Sequence, residues 1–186
     1  MATILDLPEI RERVRRWTVA EYEKLGDDPA FRRTELIRGL IVNKMSKSPL
    51  HSRLAKRIYD YFFLHANRNL VVRREDPLRL ADSMPEPDIA VVRGPEADYD
   101  ERHPATAELV VEVAVSSVAP DRENASLYAE AGVAEYWIVL AGAEQVEVYR
   151  RPVEGVYREI RTYARDESIE GVGVTAQAVA VNALFA

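Results

Sequence analysis

Two acidic residues sit where a folded chain tolerates charge least. Asp88 opens the run Pro87-Asp88-Ile89-Ala90-Val91-Val92, and Glu112 lies inside Glu108-Leu109-Val110-Val111-Glu112-Val113-Ala114-Val115. Both runs are short, apolar and rich in β-branched residues between loop formers, which predicts buried strands. An ionised carboxylate in such a strand is costly unless something compensates it, or its pKa rises. Side chains alternate along a strand, so Glu108, Val110, Glu112 and Ala114 share one face. Two carboxylates brought together from neighbouring strands repel, and one takes a proton unless a cation lies between them. Oxygen-only ligation by carboxylates suits magnesium or manganese, and such an ion could polarise a phosphoryl oxygen or activate water. Plainer roles stay open. Asp88 could cap a loop or pair with an arginine, and Glu112 could form a buried salt bridge with Arg122 or Arg73.

The elements that must position these acids are readable from pattern. Thr18-Val19-Ala20-Glu21 is a capping box opening a short helix to about Leu25. Thr34 to Val42 reads as a hairpin turning near Arg38-Gly39. Ser48-Pro49 supplies a cap and a first-turn proline, and Leu50, Leu54, Ile58, Tyr61, Phe62 and Phe63 then recur at helical spacing to about Ala66. Strands are expected over 69–73, 88–92 and 108–115, a helix over 121–131 closed by Gly132, and a strand over 135–140. Gln145–Tyr149 and Val156–Tyr163 form an antiparallel extension, and Ala183-Leu184-Phe185 a docked terminal turn. Consecutive strands followed by a crossover helix argue for an α/β fold with a mixed sheet flanked by helices.

The 186 residues suit one domain, expected over 18–186, after a loosely docked arginine-rich arm over 1–17. There is no cysteine, which excludes disulfides and thiolate zinc sites. No apolar run approaches the roughly 20 residues of a membrane span and no basic-then-apolar leader opens the chain, so a cytoplasmic protein is expected. The net charge of -6 conceals a basic half and an acidic one: residues 1–80 carry +6 and residues 81–186 carry -12. An acidic total argues against strong non-specific binding to nucleic acid, while the basic half leaves room for a local phosphate-binding face. All four lysines, Lys24, Lys44, Lys47 and Lys56, lie in that half.

Several stretches taken together resemble a known family. They are Glu35-Leu36-Ile37-Arg38-Gly39, Ser48-Pro49-Leu50-His51, Glu86-Pro87-Asp88-Ile89, Glu108-Leu109-Val110-Val111-Glu112-Val113 and the run from Tyr128 to Trp137. Their order is similar to that of the putative restriction endonuclease family within the PD-(D/E)XK nuclease superfamily, from about residue 18 to the C-terminus. The resemblance implies a restriction-endonuclease-like core, ordered αβββαβ, that hydrolyses DNA phosphodiester bonds with Mg2+ or Mn2+. It implies Asp88 and Glu112 as metal ligands, with Val113 lending a backbone carbonyl, and Glu35 ligating metal or orienting water. His51 and Tyr128 are expected beside the site.

The chain departs from the superfamily pattern at its lysine. Position 114, two residues after Glu112, is Ala, and the following helix offers neutral Asn124 where relatives place the lysine. Lys47 or Arg122 is left to supply the cation that steadies phosphorane charge. Two functions are therefore carried forward ahead of a third, a metal-dependent hydrolase of some other phosphoester. One is a metal-dependent endonuclease, weakened by the missing lysine. The other is a catalytically degraded relative acting as a nucleic-acid-binding or protein-interaction module. The C-terminal extension offers edges through which a homodimer could form.

Overall fold

Thr18 starts helix α1 (Val19–Glu23): its hydroxyl accepts from the Glu21 N–H while the Glu21 carboxylate accepts from the Thr18 N–H. The computed structural model describes Glu9, residues 13–26 and residues 28–186. Most of the arm expected over 1–17 lies outside these residues. Strands β1 (Thr34–Ile37) and β2 (Leu40–Asn43) form the hairpin, turning through Arg38 and Gly39, both at positive φ. Gly39 is needed there for a second reason. A Cβ on it would lie 2.8 Å from the Cβ of Arg16, and its carbonyl accepts from the Trp17 N–H.

Helix α2 (Pro49–His65) is capped by Ser48, whose hydroxyl accepts from the His51 N–H, and begins with proline at its first turn. It buries Leu54, Ala55, Ile58 and Phe62 and leaves Arg53, Lys56 and Arg57 in solvent. Six strands follow in sheet order: β3 (Leu70–Arg74), β4 (Ile89–Arg93), β5 (Leu109–Ala114), β6 (Glu135–Leu140), β7 (Gln145–Val153) and β8 (Val156–Tyr163). Neighbours run antiparallel except β5 and β6, which are parallel and joined by the crossover helix α3 (Ala119–Glu130). The fold is therefore the expected mixed sheet flanked by helices.

Alternation divides the core into two layers. Ile89, Val91, Leu109, Val111 and Trp137 pack under α2 and the C-terminal segment, which comprises β9 (Ser168–Ile169), β10 (Val179–Ala180) and α4 (Val181–Phe185). Ala90, Val92, Val110 and Ile138 pack under Leu127 and Tyr128 of α3, beside a cluster of Tyr136, Tyr149 and Tyr157. Among the described residues no helix is long and apolar enough to cross a membrane.

Candidate functional site

Register brings the two acids together. Ile89 faces Val111 across the antiparallel β4–β5 pair, so Asp88 and Glu112 oppose each other one step further on. Both rise from the face covered by α3, the side to which Ala90 and Val110 point. The Asp88 N–H donates to Glu112 Oε2 at 3.1 Å, and the Val113 N–H donates to Asp88 Oδ2 at 2.9 Å. From α3 the Tyr128 hydroxyl donates to Glu112 Oε1 at 3.0 Å. Glu112 thus has neither of the arginine partners open to it in the sequence. Arg73 donates to His103, and Arg122 is ion-paired with Glu147.

The opposite wall comes from the hairpin and the start of α2. Lys47 Nζ lies 2.9 Å from Asp88 Oδ1 and 3.4 Å from Glu75 Oε1. His51 Nε2 lies 2.9 Å from Asp88 Oδ2, while its Nδ1 is buried and has no hydrogen-bond partner among the described residues. Glu35, on β1, accepts the Glu86 N–H at 3.0 Å, and Glu86 is ion-paired with Lys44. These residues line one cleft of about 600 Å³, together with Val113 and with Asp121 and Asn124 of α3. Arg122 does not line it. Among the described residues no three His, Asp or Glu side chains form a metal cage on their own.

The carboxylates respond to one another. Burial, then the Asp88 charge, pushes Glu112 well above the usual carboxylate range. Burial and the same charge raise Asp121 to about 6, with His51 pulling the other way. Burial raises Glu35, against the hydrogen bond from Glu86. Asp88 moves in the opposite direction. Burial presses its carboxyl upward, but the His51 hydrogen bond and the Lys47 charge outweigh it and hold the net value down. Lys47 mirrors this: burial would lower it, and Asp88 and Glu75 keep it above its ordinary value. One ionised carboxylate held by Lys47, His51 and the Val113 N–H, beside others whose ionisation is opposed, is a set of hard oxygen donors that a further cation would stabilise.

The family described as Uma2, putative restriction endonuclease, matches residues 19–182. The chain belongs to this family. A crystal structure of a putative nuclease belonging to DUF820 from Anabaena variabilis shares the Uma2 chain's fold at TM-score 0.74 and 19% identity. The match covers 90% of this chain and 97% of that one. No curated protein matches the chain.

Of the residues expected around the site of this Uma2 protein, Asp88, Glu112, Val113, Glu35, His51, Lys47 and Asn124 line the cleft, and Tyr128 supports Glu112 from behind it. Asp121 joins them unannounced. Its signal is helical spacing: Asp121, Asn124 and Tyr128 recur at intervals of three and four, the repeat of one helix face.

Proposed function

We propose that this Uma2 protein is a divalent-metal-dependent endonuclease that hydrolyses DNA phosphodiester bonds. The observation that supports this best is the opposition of Asp88 and Glu112 at one cleft that also holds Glu35, Asp121, Lys47 and His51. Asp88, Glu112 and the Val113 carbonyl are the groups that would hold Mg2+ or Mn2+, and their hard oxygen chemistry fits such an ion. When bound, the ion would supply Lewis-acid polarisation of a phosphoryl oxygen and a lowered pKa for water.

The chain's own residues divide the remaining work. His51 and the Val113 N–H fix one oxygen of Asp88, and Tyr128 and the Asp88 N–H fix Glu112, so neither acid can rotate freely. Glu35 has one oxygen engaged by Glu86 and a raised pKa, which suits it to accept a proton from attacking water. We assign the charge-steadying cation to Lys47 rather than Arg122, because Arg122 is engaged by Glu147 away from the cleft. Asn124 contributes a neutral hydrogen-bond donor.

Plasmid nicking in manganese tests the proposal. Asp88→Asn and Glu112→Gln should each lower the rate at least about a hundredfold while leaving the circular dichroism spectrum unchanged. Activity that survives both substitutions ends this reading. One observation favours the second reading, a binding module without cleavage: neutral Asn124 lines the cleft wall. Asn124→Lys separates the two. A new or much faster nicking activity would mean that the natural chain has lost its cation, and no gain would leave that task with Lys47.

A further inference from the structure

A second cleft, of about 510 Å³, shares one lining residue with the first. Glu86 borders both, and neighbouring residues of β1 divide between them: Thr34 lines the second cleft and Glu35 the first. Adjacent residues of a strand point to opposite faces, so β1 is the partition between them. The volume lies within the roughly 300–1,000 Å³ of small-molecule sites.

The lining differs in kind from that of the first cleft. Tyr22 and Phe31 present half-buried rings, and Arg32 and Arg102 are exposed. The carboxylates are largely spoken for. Glu23 accepts from Arg79 at 2.7 and 3.2 Å, and Glu86 pairs with Lys44, while Glu101 shares the lining with Arg32 and Arg102. His103 carries a directed donor. Its Nδ1 lies 3.1 Å from Arg73 Nη2, and a guanidinium can only donate, so Nδ1 accepts and the ring proton sits on Nε2. Burial, then the Arg73 charge, holds the imidazole below its ordinary value and keeps it neutral. Rings for stacking, cations for a backbone and a polar donor are what a nucleic-acid strand uses when it is held without base pairing.

We propose that the second cleft is a nucleotide subsite for the strand whose phosphodiester lies in the first cleft. The base packs on Tyr22 and Phe31, the phosphate meets Arg32 and Arg102, and the His103 Nε2–H reaches a base edge or phosphate oxygen. This deepens the nuclease reading and rests on it. The strand passes over Glu86, where the two clefts meet, so the subsite is filled by a nucleotide flanking the one that is cut.

The test uses the full chain and an oligonucleotide bearing 5-bromodeoxyuridine at each position in turn, irradiated and mapped by mass spectrometry. Crosslinks to Tyr22, Phe31 or His103 are expected from one or two adjoining positions. The double variant Arg32→Glu, Arg102→Glu, both at exposed positions, should lose these crosslinks and bind the strand about tenfold more weakly, with a shallower salt dependence. Crosslinks confined to the first cleft, or unchanged affinity in the double variant, overturn the subsite and leave the nuclease reading standing. No crosslink at either cleft, together with no nicking, overturns both.

Discussion

Asp121 enters the cleft from the first turn of α3, where the positive end of a helix ordinarily favours a carboxylate. Burial and the Asp88 charge override that preference and raise its pKa to about 6. A carboxyl whose pKa is higher in the folded than in the unfolded chain binds its proton more tightly when folded. Its contribution to stability is fully present below the ordinary value of 3.8 and is lost as the pH rises through about 6. Asp121→Asn removes that loss. Without divalent cations the variant should be the more stable at pH 7.5, by on the order of 1–2 kcal/mol after allowance for screening in an open cleft. The advantage should shrink toward zero near pH 4. Thermal melts of both proteins across this range measure it, and an equal gain at every pH would trace the effect to packing instead of charge.

At the scale of elements, legibility follows how local the determining signal is. The apolar, β-branched runs predict β4, β5 and β6 to within a residue: 88–92, 108–115 and 135–140 against Ile89–Arg93, Leu109–Ala114 and Glu135–Leu140. The Ser48-Pro49 cap likewise sets the start of α2. Asp88 and Glu112 could be singled out because burial of charge is a conflict visible in a short window. Their alignment could not, because the β4–β5 offset depends on how the long connection from 94 to 108 closes, which no local pattern encodes. Lys47 was legible only as a candidate. It lies on the irregular segment between β2 and α2, so its approach to Asp88 depends on how the hairpin docks. Arg122 shows the reverse case. Neighbouring helical residues point about 100° apart, and once Tyr128 faces Glu112, Asp121 falls toward the cleft and Arg122 toward Glu147.

At the scale of the molecule, the described residues of one chain form one cleft holding Asp88 and Glu112, while on the proposed endonuclease reading a DNA duplex offers two strands to cut. β8 ends the six-stranded sheet, and Val156 and Ile160 on it are exposed, with Val153 beside them at the end of β7. An unprotected edge of this kind pairs readily with another chain. Antiparallel pairing of two β8 strands about Ile160 sets Glu159 of each copy opposite Arg161 of the other, the self-complementary arrangement that a two-fold axis requires. Within one chain Glu159 meets Arg151 at 3.3 Å and Arg161 meets Glu167 at 2.7 Å. Those pairs are solvent-exposed and individually weak, so exchanging them for intermolecular ones costs little. Light scattering at high micromolar protein should therefore give twice the 21.1 kDa of one chain. The double variant Val156→Lys, Ile160→Lys should return the single-chain mass without changing the circular dichroism spectrum, because both side chains face solvent. A wild-type chain that stays at the single-chain mass, or a variant that stays double, would remove β8 as the meeting edge. The two clefts would then have to come together on DNA itself, or cut one strand at a time.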